Sequence, residues 1–162
     1  MDALLKTSIS RQFGASIDML DDALTLCPDG LWTASLWDGD EDERYGQFWF
    51  VAYHTLFWLD NYLTGGSTDF VPPAPFIRGA LPESPYTKDE VQTYLRACRQ
   101  RCHAAIDALT DERARELVPK GPPYLELQLY NMRHVQEHAS QLQLLLGQHG
   151  VPGPDWVSKA RD

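Results

Sequence analysis

The stretch Tyr130-Asn131-Met132-Arg133-His134-Val135-Gln136-Glu137-His138-Ala139-Ser140-Gln141-Leu142 decides how the chain folds. Met132, Val135, Ala139, Leu142 and Leu146 repeat at three and four, and Leu125 and Leu129 carry the repeat backwards. That period belongs to an amphipathic helix. His134 and His138 are four apart, so they share one side of it, one turn above the other. Their stripe adjoins the apolar one, and both rings therefore reach toward a packed interior. Two imidazoles in that relation can share a metal ion, provided that a third ligand comes from elsewhere in the chain.

Outward from this stretch, three more long helices are legible. Ile9, Phe13, Ile17, Leu20 and Leu24 give residues 3–27 one apolar face, with Ser8 or Ser10 available to cap a shorter version. Cys27-Pro28-Asp29-Gly30 ends that helix, because proline cannot continue it and Asp-Gly favours a turn. The connection that follows carries Trp32 and Trp37 and is expected to fold onto the bundle end. A second helix is expected over 43–63, apolar nearly all round through Phe48, Trp49, Phe50, Val51, Tyr53, Leu56, Phe57, Trp58, Leu59 and Tyr62. Such a helix is central or shared with a partner chain. Gly65-Gly66-Ser67 stops it.

Residues 68–85 hold five prolines and form the longest irregular stretch, a candidate crossover anchored by Phe70, Phe76 and Ile77. Thr87-Lys88-Asp89-Glu90 has the capping-box pattern and opens a third helix, faced by Val91, Tyr94, Leu95, Cys98, Cys102 and Ile106. Asp111 to Val118 reads as a short helix or a last turn with a bend, and Pro122 or Pro123 opens the last long helix. Gly147 and Gly150 end it, and residues 151–162 are a tail with Trp156 as its expected anchor. Four long amphipathic helices make an all-α four-helix bundle, expected as one domain over 1–162.

At 162 residues and 43% hydrophobic content, the chain can bury a full core. Its net charge of −9 argues against general nucleic-acid binding, which needs clustered Lys and Arg. No run of 18 apolar residues is present, so no membrane span is expected. Three cysteines, an odd number, and no leading apolar signal segment point to a reducing, cytoplasmic setting.

The third ligand has few candidates. His149 follows a helix-ending glycine, and His103 lies at the edge of its face. His54 is mid-helix among aromatic rings, where a buried imidazole needs partners on both nitrogens. A single ion held by His54, His134 and His138 would supply one partner, and no paired Glu-x-x-His motif suggests a dinuclear centre. Three neutral imidazoles suit zinc or nickel, with iron or cobalt also compatible, and leave positions open. The competing reading is a polar core in which hydrogen bonds to Asn131, Gln141 and the tyrosines hold the histidines.

Phe50-Val51-Ala52-Tyr53-His54-Thr55-Leu56-Phe57-Trp58-Leu59, taken with the Asn131–Leu142 stretch, resembles the DinB-like (YfiT-like) metalloenzymes. The resemblance covers nearly the whole chain. It implies a four-helix bundle, up-up-down-down, with a long crossover between helices 2 and 3. It also implies a divalent metal at one bundle end on one histidine of helix 2 and the late His-x-x-x-His pair, here His54, His134 and His138. Some relatives are similar to transferases and isomerases that use low-molecular-weight thiols such as mycothiol or bacillithiol, and members often look like homodimers.

On this footing an open ion would activate water or a thiol against an electrophilic small molecule. Glu137, Asp60, Asn61 and Tyr130 are candidates to assist. Arg96, Arg99 and Arg101 are candidates for a thiol cofactor's carboxylate, while Cys98 and Cys102 read as small core residues. The alternative is a non-catalytic, dimeric metal-binding or stress-related module. A catalytic protein should use residues 65–85, or Trp32 and Trp37, to wall a pocket beside the metal. A structural one should seal its histidines.

Overall fold

A computed structural model describes residues 1–37, 42–119 and 121–161. Residues 38–41 of the first connection, 120 and 162 lie outside the described residues. Among the described residues five α-helices follow one another: α1 (Ala3–Leu26), α2 (Phe48–Leu63), α3 (Lys88–Asp107), the short α4 (Asp111–Arg115) and α5 (Tyr124–Gln148). α1 and α2 each pack against both α3 and α5, which makes the four long helices a bundle. Phe13, Ile17, Leu20, Leu24, Leu56, Leu59, Leu95, Val135 and Leu142 are fully buried at its centre. No helix among the described residues is long and apolar enough to cross a membrane.

The direction of each helix follows from its contacts. Lys6 Nζ donates to Asp107 O at one end (2.8 Å), and Lys88 Nζ reaches Cys27 O at the other, so α1 and α3 are antiparallel. Trp49 and Tyr86, at the starts of α2 and α3, have ring centroids 5.7 Å apart, and Cys98 Sγ lies 3.8 Å from Leu56 O, so those two helices are parallel. Tyr124 Oη donates to Leu63 O (2.8 Å), pairing the start of α5 with the end of α2. The order is therefore up-down-down-up. The bundle and the long crossover between helices 2 and 3 are as expected, but the up-up-down-down order is corrected.

The reason lies in the first connection, which is pinned at one end of the bundle. Trp49 N–H donates to Trp32 O (3.0 Å), Phe48 N–H to Ala34 O (2.9 Å), and Trp32 Nε1 to Tyr86 O (2.8 Å). The chain turns back there instead of crossing. The same pairing shortens α2. Gln47 is extended and bridges Ser35, so residues 43–46 form a separate 3-10 turn and the α-helix starts at Phe48.

α1 starts at full length because Asp2 caps it, its side chain accepting from Leu5 N–H (3.1 Å); neither Ser8 nor Ser10 is the cap. α2 ends where Gly65 (φ 94°) and Gly66 (φ 74°) take the left-handed region and return N–H groups to Tyr62 O and Asn61 O. The aromatic surplus of α2 is largely consumed within the chain. Tyr53 stacks on Phe76 (5.3 Å), and Phe57 meets Phe70 (5.5 Å), so the crossover lies on α2. In the tail Val157 is buried and Ala160 N–H donates to Arg11 O (2.9 Å), whereas Trp156 is 74% exposed and anchors nothing.

Candidate metal centre

His54 sits in the second turn of α2, and His134 and His138 sit mid-way along the antiparallel α5. The two helices thus bring the three rings together in the groove between them. Ring centroids are 5.5 Å apart for His54–His134, 5.2 Å for His54–His138 and 4.5 Å for His134–His138. One nitrogen from each ring can be chosen so that all three lie within 4.8 Å of one another. His134 Nε2 and His138 Nε2 are 3.1 Å apart. Two nitrogens bound at zinc-like distances in a tetrahedral site would be about 3.3 Å apart. The cluster is half-buried and fits a mononuclear metal-binding site.

The donor chemistry passes a further test. His138 Nδ1 is 2.7 Å from Gln141 Oε1 and donates to it, which leaves the lone pair on Nε2, facing the other two rings. A hydrogen-bonded polar core would need the remaining nitrogens satisfied as well. Yet His134 Nδ1 is buried without a partner, and His54 has ring neighbours but no hydrogen bond among the described residues. Asn131 is engaged elsewhere, donating to Leu59 O (3.1 Å). Of the partners expected for a polar core, only Gln141 bonds a ring among the described residues.

Burial sets the charge state. Desolvation, reinforced by His138, pushes His54 down to about 4. Desolvation first, then His138 and His54, pushes His134 down to about 3. Both are neutral near pH 7, as ligands must be. Rings frame the cluster: Phe50 and Trp58 flank His54 at 6.2 and 6.3 Å, and Tyr62 and Tyr130 lie 6.3 and 6.5 Å from His134.

A cavity of about 260 Å³ opens beside His54, lined by Tyr45, Phe50, Tyr53, Phe57, Trp58 and the crossover residues Ile77–Ala80. The crossover thus walls a pocket next to the histidines. Trp32 does not line it, being buried under Tyr86, nor does Trp37.

Apart from Tyr130, which frames the cluster, the other candidates lie at the surface or in the core. Glu137 is exposed. Asp60 is buried and bound by Tyr94 Oη (3.1 Å) and Arg101, so it braces α2 against α3. Asn61 is buried as well. Arg99 pairs with Asp18 and Asp21, and Arg96 Nη2 donates to Thr93 Oγ1, which leaves the basic run serving the fold. Cys98 and Cys102 are core residues. His103 and His149 are exposed and apart from the cluster.

Sequence reasoning missed Arg78 and Tyr45 in the cavity wall, since both arrive through irregular chain. It named Gln141 only as a polar-core partner, although its i+3 spacing from His138 signals a ligand-orienting role.

No curated protein and no solved structure matches the chain. A family model described as the DinB superfamily does match, over residues 12–142, a span that holds all three histidines and Gln141. With its helical bundle and histidine cluster, the chain belongs to the DinB superfamily.

Proposed function

We propose that the protein is a metal-dependent enzyme in which His54, His134 and His138 hold one divalent ion and a small electrophilic molecule enters the cavity beside His54. One observation carries this reading: His54, whose ligand nitrogen lies within 4.8 Å of those of His134 and His138, also lines a cavity of about 260 Å³ that the crossover walls. Three neutral imidazoles without a carboxylate favour zinc or nickel, with iron or cobalt also compatible. When bound, such an ion supplies Lewis acidity that brings the pKa of a water or thiol toward neutrality.

The chain's own groups do the rest. Gln141 holds the His138 proton on Nδ1, and burial keeps His54 and His134 unprotonated. Phe50, Tyr53, Phe57 and Trp58 keep water from one side of the cavity. Water starts from a pKa far above a thiol's, and no carboxylate lines the cavity among the described residues to take its proton. A low-molecular-weight thiol needs only to lose its own proton, so transfer of such a thiol to an electrophile is the favoured reaction class.

The reading includes a cytoplasmic homodimer. Three free, buried cysteines support the reducing setting, and exposed Leu4, Leu5, Leu129 and Tyr130 support self-association.

Elemental analysis of untagged protein beside His54→Ala and His138→Ala tests the centre. The expected result is about one ion per chain, lost in both variants with helical content retained. Parent protein that takes up no metal after incubation with zinc or nickel would overturn it.

A further inference from the structure

We infer that the cavity beside His54 takes a flat aromatic or conjugated monocarboxylate, with its rings against Phe50, Tyr53, Phe57 and Trp58 and its carboxylate on Arg78. The inference rests on the proposed function only in having the reacting end of the ligand face His54.

The walls set the shape. Phe50 meets Tyr45 at 4.9 Å and 83°, Tyr53 at 6.0 Å and 69°, and Trp58 meets Phe57 at 5.2 Å and 87°. These edge-to-face pairs are already formed, so a flat apolar molecule enters a prepared site and loses little free energy to ordering the rings. At about 260 Å³ the space suits a ligand of one or two rings.

The charge sets the polar end. Arg78 is the one Lys or Arg among the lining residues, and no acidic residue lines the cavity among the described residues. Arg44, Arg99, Arg101, Arg113 and Arg161 each pair with a carboxylate. Arg78 is held differently: Nη1 donates to the carbonyl oxygens of Thr68 and Phe70, which orient a guanidinium without neutralising it. Its neighbour Ile77 is fixed on both backbone groups, its carbonyl accepting from Tyr53 Oη and its N–H donating to Tyr86 Oη (3.0 Å). An oriented guanidinium with no carboxylate partner among the described residues, in the wall of an aromatic cavity, matches one carboxylate. Aromatic walls also attract cations, which makes an organic ammonium the rival ligand. Arg78 repels it.

Tryptophan-fluorescence titration with 2-naphthoate, 2-naphthol and 2-naphthylmethylamine separates the two, on parent protein and on His134→Ala. That variant removes a proposed metal ligand but leaves every cavity-lining residue in place. Naphthoate is expected to bind at least about tenfold more tightly than either isostere. Arg78→Gln should erase that preference, Arg78→Lys should restore part of it, and metal content should stay unchanged in both. Naphthoate binding retained in His134→Ala keeps the ligand class standing even where the metal is lost. Equal binding of the amine, an unaffected Arg78→Gln, or no naphthoate binding to the parent overturns the inference.

Discussion

Gln141 carries a proton assignment as well as a contact. Its Oε1 fixes the His138 tautomer that leaves Nε2 free, so Gln141→Leu is expected to weaken zinc binding by about 10- to 100-fold, read by chelator competition. The depressed pKa values of His54 (about 4) and His134 (about 3) make a second expectation. Between those values and the ordinary histidine pKa, the unfolded chain binds protons that the folded chain refuses. Stability of the metal-free protein therefore falls as pH drops below about 6.5 and keeps falling toward the folded-state values. Urea midpoints at pH 7 and pH 5 should differ more in the parent than in the His54→Gln/His134→Gln variant. The histidines were legible because helical spacing put His134 and His138 together and because His54 stood among residues that had to be buried. Arg78 was not legible. Nothing local in a proline-rich stretch says which cavity a side chain lines; only the crossover's docking on Tyr53 and Phe57 does.

Among the elements, α3 is the one whose start was fully written in the sequence. Thr87 N–H donates to Glu90 Oε2 (2.7 Å) while Thr87 Oγ1 accepts from Glu90 N–H (3.3 Å), which completes the capping box. Thr87→Ala should cost about 1 kcal/mol, measured by urea unfolding, with metal content unchanged. The start of α2 was less legible, because periodicity continues through 43–47 while the Ser35–Gln47 bridge breaks the helix there. A long-range backbone pairing overrode a local pattern. Helix directions failed to show for the same kind of reason. They depend on which end of the bundle a connection is fastened to, and that is decided by Trp32 and Tyr86, 54 residues apart.

For the molecule as a whole, the tail closes the outer side of α1. Gly14 lets it approach, since a Cβ there would lie 2.5 Å from the Ala160 Cβ. Val157, buried in the core cluster, holds it together with the Ala160 N–H bond to Arg11 O and the pairing of Arg161 with Asp22. Val157→Ala is expected to cost about 2 kcal/mol. Trp156→Ala, at a position 74% exposed, should stay within about 0.5 kcal/mol in the same unfolding assay. Because α2 and α3 run parallel side by side, the chain must also travel back along the bundle between them. The 16 residues of α2 span about 24 Å, which about 7 extended residues would cover. Residues 64–87 supply several times that length. The surplus is chain that the helices do not need, and it forms the outer wall of the chamber beside His54. Insertions, deletions or grafted sequence between Gly66 and Pro85 can thus reshape what the chamber admits while the ligand-bearing helices stay in register. In this scaffold the chamber wall is an exchangeable part, and a library confined to that segment is the economical place to vary it.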